Sequence, residues 1–318
     1  MKLDNLKYYL IIASLHLLAL LPLRALYMLS DGVCFIIHRI VGYRVEIVRK
    51  NLKETFPDKS EKELRAIERR FYHYLCDCIV ETVKLLHISD RQLKRRVTLT
   101  NSELVYELQA KGRPIILFLG HYNNWEWVPA MTLTLRQPQT MGALYQPLHS
   151  RVMNRVMLRL RSRFSSKCIP TKTAYRRLLE LRRINPSFMI GFIADQRPLG
   201  SSVRYWTNFL GRPTAFVVGG ETIGERVDAN YLYVENLRLG RGRYNLNFKL
   251  MNLDDLKADK TLVVRSLHPN STDDSHPSDG LTYPYTRLFL QMLEETIRTN
   301  PPYWLWSHNR WADRFPEK

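Results

Sequence analysis

Two uncharged runs, PIILFL at residues 114–119 and FMIGFIA at residues 188–194, constrain this chain more than anything else in it. Each is too short for a stand-alone helix and stops at Gly120 or Asp195. A continuous apolar stretch of that length reads as a strand buried on both faces. Residues 140–145, 231–234 and 244–250 read as further strands, with basic helices at residues 150–164 and 173–183 between them. Strands alternating with helices give an α/β fold, a sheet covered by helices on both sides. In such folds ligands bind beyond the carboxyl ends of the strands.

The N-terminal part adds a membrane signal. Residues 8–23 (YYLIIASLHLLALLPL) carry no charge, and only Ser14 and His16 are strongly polar. A spanning helix needs roughly 20 mostly apolar residues, so this run predicts one membrane-inserted helix, with a buried soluble hairpin as the alternative. No small-x-small cleavage site follows, which argues against a removable signal peptide. A second apolar stretch, residues 32–41, is broken by His38 and Arg39 and is expected at the interface or against the domain. Arg39, Arg44, Arg49 and Lys50 outnumber Lys2 and Lys7, which places the main domain on the cytoplasmic side. Ser60 and Glu63 form a capping box, and Leu64, Ile67, Phe71, Leu75, Ile79 and Val83 recur at helical steps. A packing helix to about residue 87 follows. The expected organisation is an anchor over residues 1–30, a helical interface region over 31–100, and an α/β domain over 101–318. A polar insertion is expected in that domain at about residues 254–283.

Lys plus Arg number 48 against 30 Asp plus Glu, a net charge of +18. Such a surplus fits nucleic acid, an anionic membrane or an acidic partner. The sequence has no zinc-finger pattern, no aromatic RNP-like strand and no long Lys/Arg block, so nucleic acid is set aside. Four cysteines argue against a disulfide scaffold. Cys76 and Cys78, near His73, lack zinc-ligand spacing and read as buried thiols, and HPNSTDDSHPSDG in the insertion reads as a solvated loop. No metal site is expected.

Gly120-His121-Tyr122-Asn123-Asn124-Trp125-Glu126-Trp127 follows the first strand directly. Asn123 or Asn124 can cap the next helix, which puts Glu126 in its first turn, able to fold back on the imidazole. An imidazole held in one tautomer by an acid is a general base. No Ser or Cys sits in a nucleophile elbow, so such a base suits a substrate hydroxyl. On these residues alone, an ordinary structural histidine is the alternative.

A histidine, four intervening residues and an acid after an apolar strand resembles the signature of the glycerolipid (lysophospholipid) acyltransferase superfamily. GHYNNWEW in particular resembles the late, or secondary, lipid A acyltransferases. ALYQP (143–147), GFIADQRP (191–198), FLGRPTAF (209–216), Gly220-Glu221, Arg241-Gly242-Arg243-Tyr244 and PPYWLWSHNRW (301–311) resemble further blocks of that family. The resemblance implies a central mixed sheet flanked by helices and preceded by a membrane helix. It implies His121 as general base, Glu126 as its orienting partner, and Asp195 and Arg161 as supporting residues, with Arg159 and Arg163 close rivals of Arg161. The family's Tyr-Arg-Pro stands here as Tyr145-Gln146-Pro147, so the contact assigned to that arginine falls to Gln146. The implied reaction moves an acyl chain from an acyl thioester to a hydroxyl of a lipid A precursor at the bacterial inner membrane, without a cofactor. Acyl carrier protein is the expected donor and coenzyme A the second choice. A related enzyme acting on an aminoacyl lipid or a glycosylated phospholipid, and a non-catalytic lipid-binding homologue, are the alternatives. Tyr303, Trp304, Trp306 and Trp311 suit either a membrane-interface edge or a packed core strip.

Overall fold

The computed structural model describes residues 2–135, 141–164, 167–198, 205–256 and 283–312. Five helices come first: α1 (Lys2–Leu20), α2 (Leu23–Phe35), α3 (Val45–Thr55), α4 (Glu61–Lys84) and α5 (Asp90–Lys94). Then follow β1 (Val97–Thr100), α6 (Glu103–Ala110), β2 (Ile115–Leu119), β3 (Met141–Tyr145), α7 (Arg151–Arg161), β4 (Lys167–Pro170) and α8 (Ala174–Ile184). The chain continues through β5 (Met189–Ile193), β6 (Tyr205–Phe209), β7 (Arg212–Phe216), α9 (Gly219–Arg226), β8 (Asn230–Gly240), β9 (Arg243–Leu250) and α10 (Pro284–Thr299).

Seven strands form one sheet in the order β1-β9-β8-β2-β5-β3-β4. Neighbours are parallel except β8 and β9. Those two are joined by a turn at Gly242, whose φ of +64° suits glycine, and a connection that short permits only antiparallel pairing. The sheet is therefore mixed. β2 lies between β8 and β5, and its lack of polar alternation has a simple cause: both of its faces are covered. Ile115, Leu117 and Leu119 enter one core, and Ile116 and Phe118 the other. Burying each such side chain contributes roughly 1.5–3 kcal/mol.

β2 and β5 run in register from Ile115 beside Met189 to Leu119 beside Ile193. The residues that leave these strands, Gly120-His121 and Ala194-Asp195, therefore emerge side by side. β3 pairs parallel with β5, so Gln146 leaves from the same edge of the sheet.

The apolar run at residues 8–23 does not form one helix. Pro22 has no amide hydrogen to extend the ladder, so α1 stops at Leu20 and α2 begins afresh after Pro22. By length and composition α1 can cross a membrane, over Leu3–Leu20. α2 runs on into a π-helical stretch, Ile36–Ile40, that holds His38 and Arg39. α4 starts at the expected capping box, with Ser60 accepting from the Glu63 amide and Glu63 reaching back. It carries the buried acids Glu68, Asp77 and Glu81, so its role goes beyond apolar packing.

The structure adds elements that the sequence reading leaves out. β1 and β4 are four-residue edge strands. β6 and β7 form a separate hairpin, turned at Leu210 and Gly211 with φ of 54° and 79°. Cys76 and Cys78 are buried free thiols of α4. The polar insertion lies largely outside the described residues; within it, Asp254 and Asp255 sit in one short turn. The aromatic block at residues 303–311 is a core strip rather than a membrane edge, with Trp304 and Trp306 at 2% and 0% exposure.

Candidate active site

His121 stands one residue beyond Gly120 at the carboxyl end of β2, and the parallel register puts Asp195 next to it. The imidazole Nδ1 lies 2.6 Å from Asp195 Oδ1. The His121 backbone N–H donates to Oδ2 at 2.9 Å, and the Trp304 indole N–H donates to the same oxygen at 2.7 Å. Gly120 makes this closeness possible: a Cβ there would stand 2.7 Å from the Leu293 side chain and 3.3 Å from Asp195 Oδ2.

Asp195 is buried, at 1% exposure. Burial works to raise its carboxyl, but the charge and hydrogen bonds of His121 and the Trp304 indole outweigh it and hold the group below the usual aspartate range. An ionised carboxylate only accepts, so in the neutral imidazole it favours the ring proton on Nδ1, with the lone pair on Nε2. Nε2 faces the side-chain amide of Gln196 at 3.0 Å, and the ring packs edge-on against Trp125 at 4.9 Å.

Glu126 is paired away from the histidine. Both of its oxygens engage Arg161: Nε donates to Oε2 at 2.8 Å and Nη2 donates to Oε1. The expected cap is also missing. The segment after His121 is a 3₁₀ helix, Trp125–Leu133, with no side-chain cap. Asn123 and Asn124 are used otherwise. Asn123 adopts a φ of 50°, a left-handed conformation that asparagine tolerates, and donates its amide to the Asn236 carbonyl at 2.6 Å. Its backbone N–H bonds the Tyr303 carbonyl at 2.8 Å, and Tyr122 bridges Trp304 as an antiparallel pair. Asn124 donates to buried Glu81 at 2.7 Å. The loop is thus clamped between the C-terminal aromatic strip and α4, a path that carries Glu126 toward α7.

The structure therefore pairs His121 with Asp195 and Glu126 with Arg161. Gln146 is exposed and accepts from Thr171 Oγ1 at 2.7 Å, tying the ends of β3 and β4. Of the rival arginines, Arg163 donates to the Leu85 carbonyl and to Asp90. The sequence reading did not single out Gln196 or His308. His308 accepts the Arg197 backbone N–H at 3.1 Å, and burial, helped by the positive charges of Arg310, His121 and Arg197, pushes its imidazole down to about 4. Gln196 directly follows Asp195 at the end of a parallel strand, a signal that was available. Among the described residues, no group of three or more His, Cys, Asp or Glu is placed to hold a metal ion.

A histidine held by a buried carboxylate where the parallel strands β2 and β5 end, with no serine or cysteine bonded to it among the described residues, is an arrangement that can accept a proton from a hydroxyl. A family described as bacterial lipid A biosynthesis acyltransferase matches residues 1–313, and the chain belongs to that family. It is also similar to the lipid A biosynthesis lauroyltransferase of Escherichia coli (strain K12), at 29% identity over 115 residues. That stretch covers 36% of this chain and 38% of the relative, so the match spans well under half of either protein.

Proposed function

We propose that the protein transfers a fatty acyl chain from acyl carrier protein to a hydroxyl of a lipid A precursor, on the cytoplasmic face of the bacterial inner membrane. Family membership supports the reaction class, and the 2.6 Å contact of His121 with buried Asp195 is the observation that carries the mechanism. The acceptor hydroxyl takes the place of the Gln196 amide at Nε2. It gives its proton to that nitrogen as its oxygen bonds to the thioester carbonyl carbon, forming a tetrahedral oxyanion. The carbon–sulfur bond then breaks, the imidazolium returns the proton to the leaving thiolate, and the ester remains. Asp195 stabilises the imidazolium while it lasts. Arg161, held by Glu126, presents its remaining N–H groups to an anionic part of a substrate. Gln146 offers a neutral hydrogen-bonding contact at the same sheet edge.

The test is mass spectrometry of lipid A from cells with and without the protein, joined to an assay with acyl carrier protein thioester and lipid A precursor. The expected result is a product heavier by one acyl chain. Unchanged lipid A together with an altered aminoacyl lipid or glycosylated phospholipid would move the activity to that acceptor.

A further inference from the structure

α1 is apolar on two opposite sides, and the two sides meet different surroundings. Tyr8, Ile12 and Leu15 turn inward and pack with Val156 and Leu160 of α7. Leu3, Leu6, Leu10, Leu17 and Leu20 fall on the opposite stripe at 57% to 69% exposure.

Polar groups of the rest of the protein hold α1 along its whole length. Near its start, Arg155 donates to Asn5 Oδ1 at 3.1 Å and lies over the Tyr8 ring at 3.8 Å. In its second half, His16 Nδ1 is 2.9 Å from His87 Nε2. At its end, Lys84 Nζ donates to the carbonyls of Ala19 and Leu21 at 2.8 and 2.7 Å. From Asn5 to Ala19 the helix advances about 21 Å at 1.5 Å per residue. Standing upright in a hydrocarbon layer about 30 Å thick, α1 would drag Arg155, His87 and Lys84 into that layer with it. A cation at the centre costs at least about 2.5–3.5 kcal/mol.

We infer that α1 does not span the bilayer but lies in the plane of one leaflet, with its outer leucine stripe sunk among the acyl chains. The partner surface is an anionic phospholipid leaflet. The net charge of +18 favours it, as do Lys7 and Arg24, which are exposed at and just beyond the helix. This placement rests on the membrane reading above and changes its geometry. It also has a consequence for the site. Val156 and Leu160 of α7 face α1, while Arg161 of the same helix holds Glu126. The active site then sits about one helix diameter, 10–12 Å, from the leaflet that carries a lipid acceptor.

The test uses the full chain with Leu3→Cys, Leu10→Cys or Leu17→Cys, each labelled with an environment-sensitive fluorophore and corrected for labelling of the wild type. Quenchers at graded depths, in vesicles of phosphatidylcholine and phosphatidylglycerol, report where each label lies. The expected result is one shared shallow depth for all three. Depths stepping by about 10 Å per seven residues would overturn the inference, and so would the absence of quenching. Binding should weaken at least tenfold on pure phosphatidylcholine; equal binding there would overturn the anionic partner. Transfer activity is measured on the same samples. Active protein with stepped depths sinks only the in-plane placement, whereas inactive protein at a shared depth sinks only the acyl-transfer reading.

Discussion

A carboxylate can fix an imidazole tautomer only at hydrogen-bond distance, and Asp195 has that distance because β2 and β5 end level with each other. Three substitutions rank the acids. His121→Ala should lower transfer by about 10²–10⁴-fold, the usual share of general-base catalysis. Asp195→Asn keeps the shape but can donate to Nδ1, which moves the ring proton to Nε2, so a loss on the order of 10³–10⁴-fold is expected. Glu126→Gln keeps one hydrogen bond to Arg161 and should act mainly on KM for the lipid acceptor. Rates and thermal stability measured together decide this. A larger kcat loss for Glu126→Gln than for Asp195→Asn would restore Glu126 as the operative acid. His308 gives a pH signature. Its folded value, about 4, lies below the ordinary 6.5, so the folded state binds fewer protons between those values. Its contribution to stability is complete above pH 6.5 and is lost as pH falls toward 4. His308→Gln, which keeps an acceptor for Arg197, should flatten the fall of Tm across that window. An unchanged slope would show that His308 titrates normally.

At the scale of elements, α4 ties the N-terminal helices to the active-site loop. Glu81 accepts from Tyr27 of α2 at 2.9 Å, Asn124 at 2.7 Å and Tyr244 of β9 at 2.7 Å. Burial raises its carboxyl above the usual glutamate value, so a neutral replacement of the same shape is tolerated better than a truncation. Glu81→Ala leaves three donors without their acceptor, at about 1–3 kcal/mol for each buried group. A clear drop in Tm is expected, with a much smaller one for Glu81→Gln. Equal Tm values for Glu81→Ala and wild type in a melting experiment would mean that water or other groups replace the carboxylate. Legibility follows the same division. The start of α4 could be read because a capping box is complete within four residues, and β2 and β5 because a strand covered on both faces shows no polar alternation. Glu81 could not be read, since its partners lie at residues 27, 124 and 244. The pairing of Glu126 with Arg161 could not be read for the same reason. The sequence suggests a loop closing on itself, whereas Asn236, Tyr303 and Glu81 hold that loop from three distant parts of the chain. The edge strands VTLT and KCIP are too short and too polar to announce themselves.

At the scale of the whole molecule the charge of +18 must be divided among several tasks. Much of the basic stretch from Arg151 to Arg183 is already engaged. Arg155 lies over Tyr8, Arg161 holds Glu126, and Arg163 pairs with Asp90. α8 carries a freer set: Arg176, Arg177 and Arg183 are exposed, and among the described residues the first two have an acidic neighbour, Glu180. If acyl carrier protein is the donor, α8 is where an acidic partner should be steered. Steering acts over a Debye length of about 8 Å at physiological ionic strength and weakens as salt is added. KM for acyl carrier protein should therefore rise with salt while kcat stays level. Arg176→Glu combined with Arg183→Glu should raise KM several-fold at low salt and converge on the wild type at high salt. The helix would keep its buried face of Ala174, Leu178 and Leu181, so folding should be unaffected. Salt-independent KM values, or equal use of acyl coenzyme A by both proteins, would take the carrier off α8. The surplus charge would then belong to the leaflet and the lipid substrate.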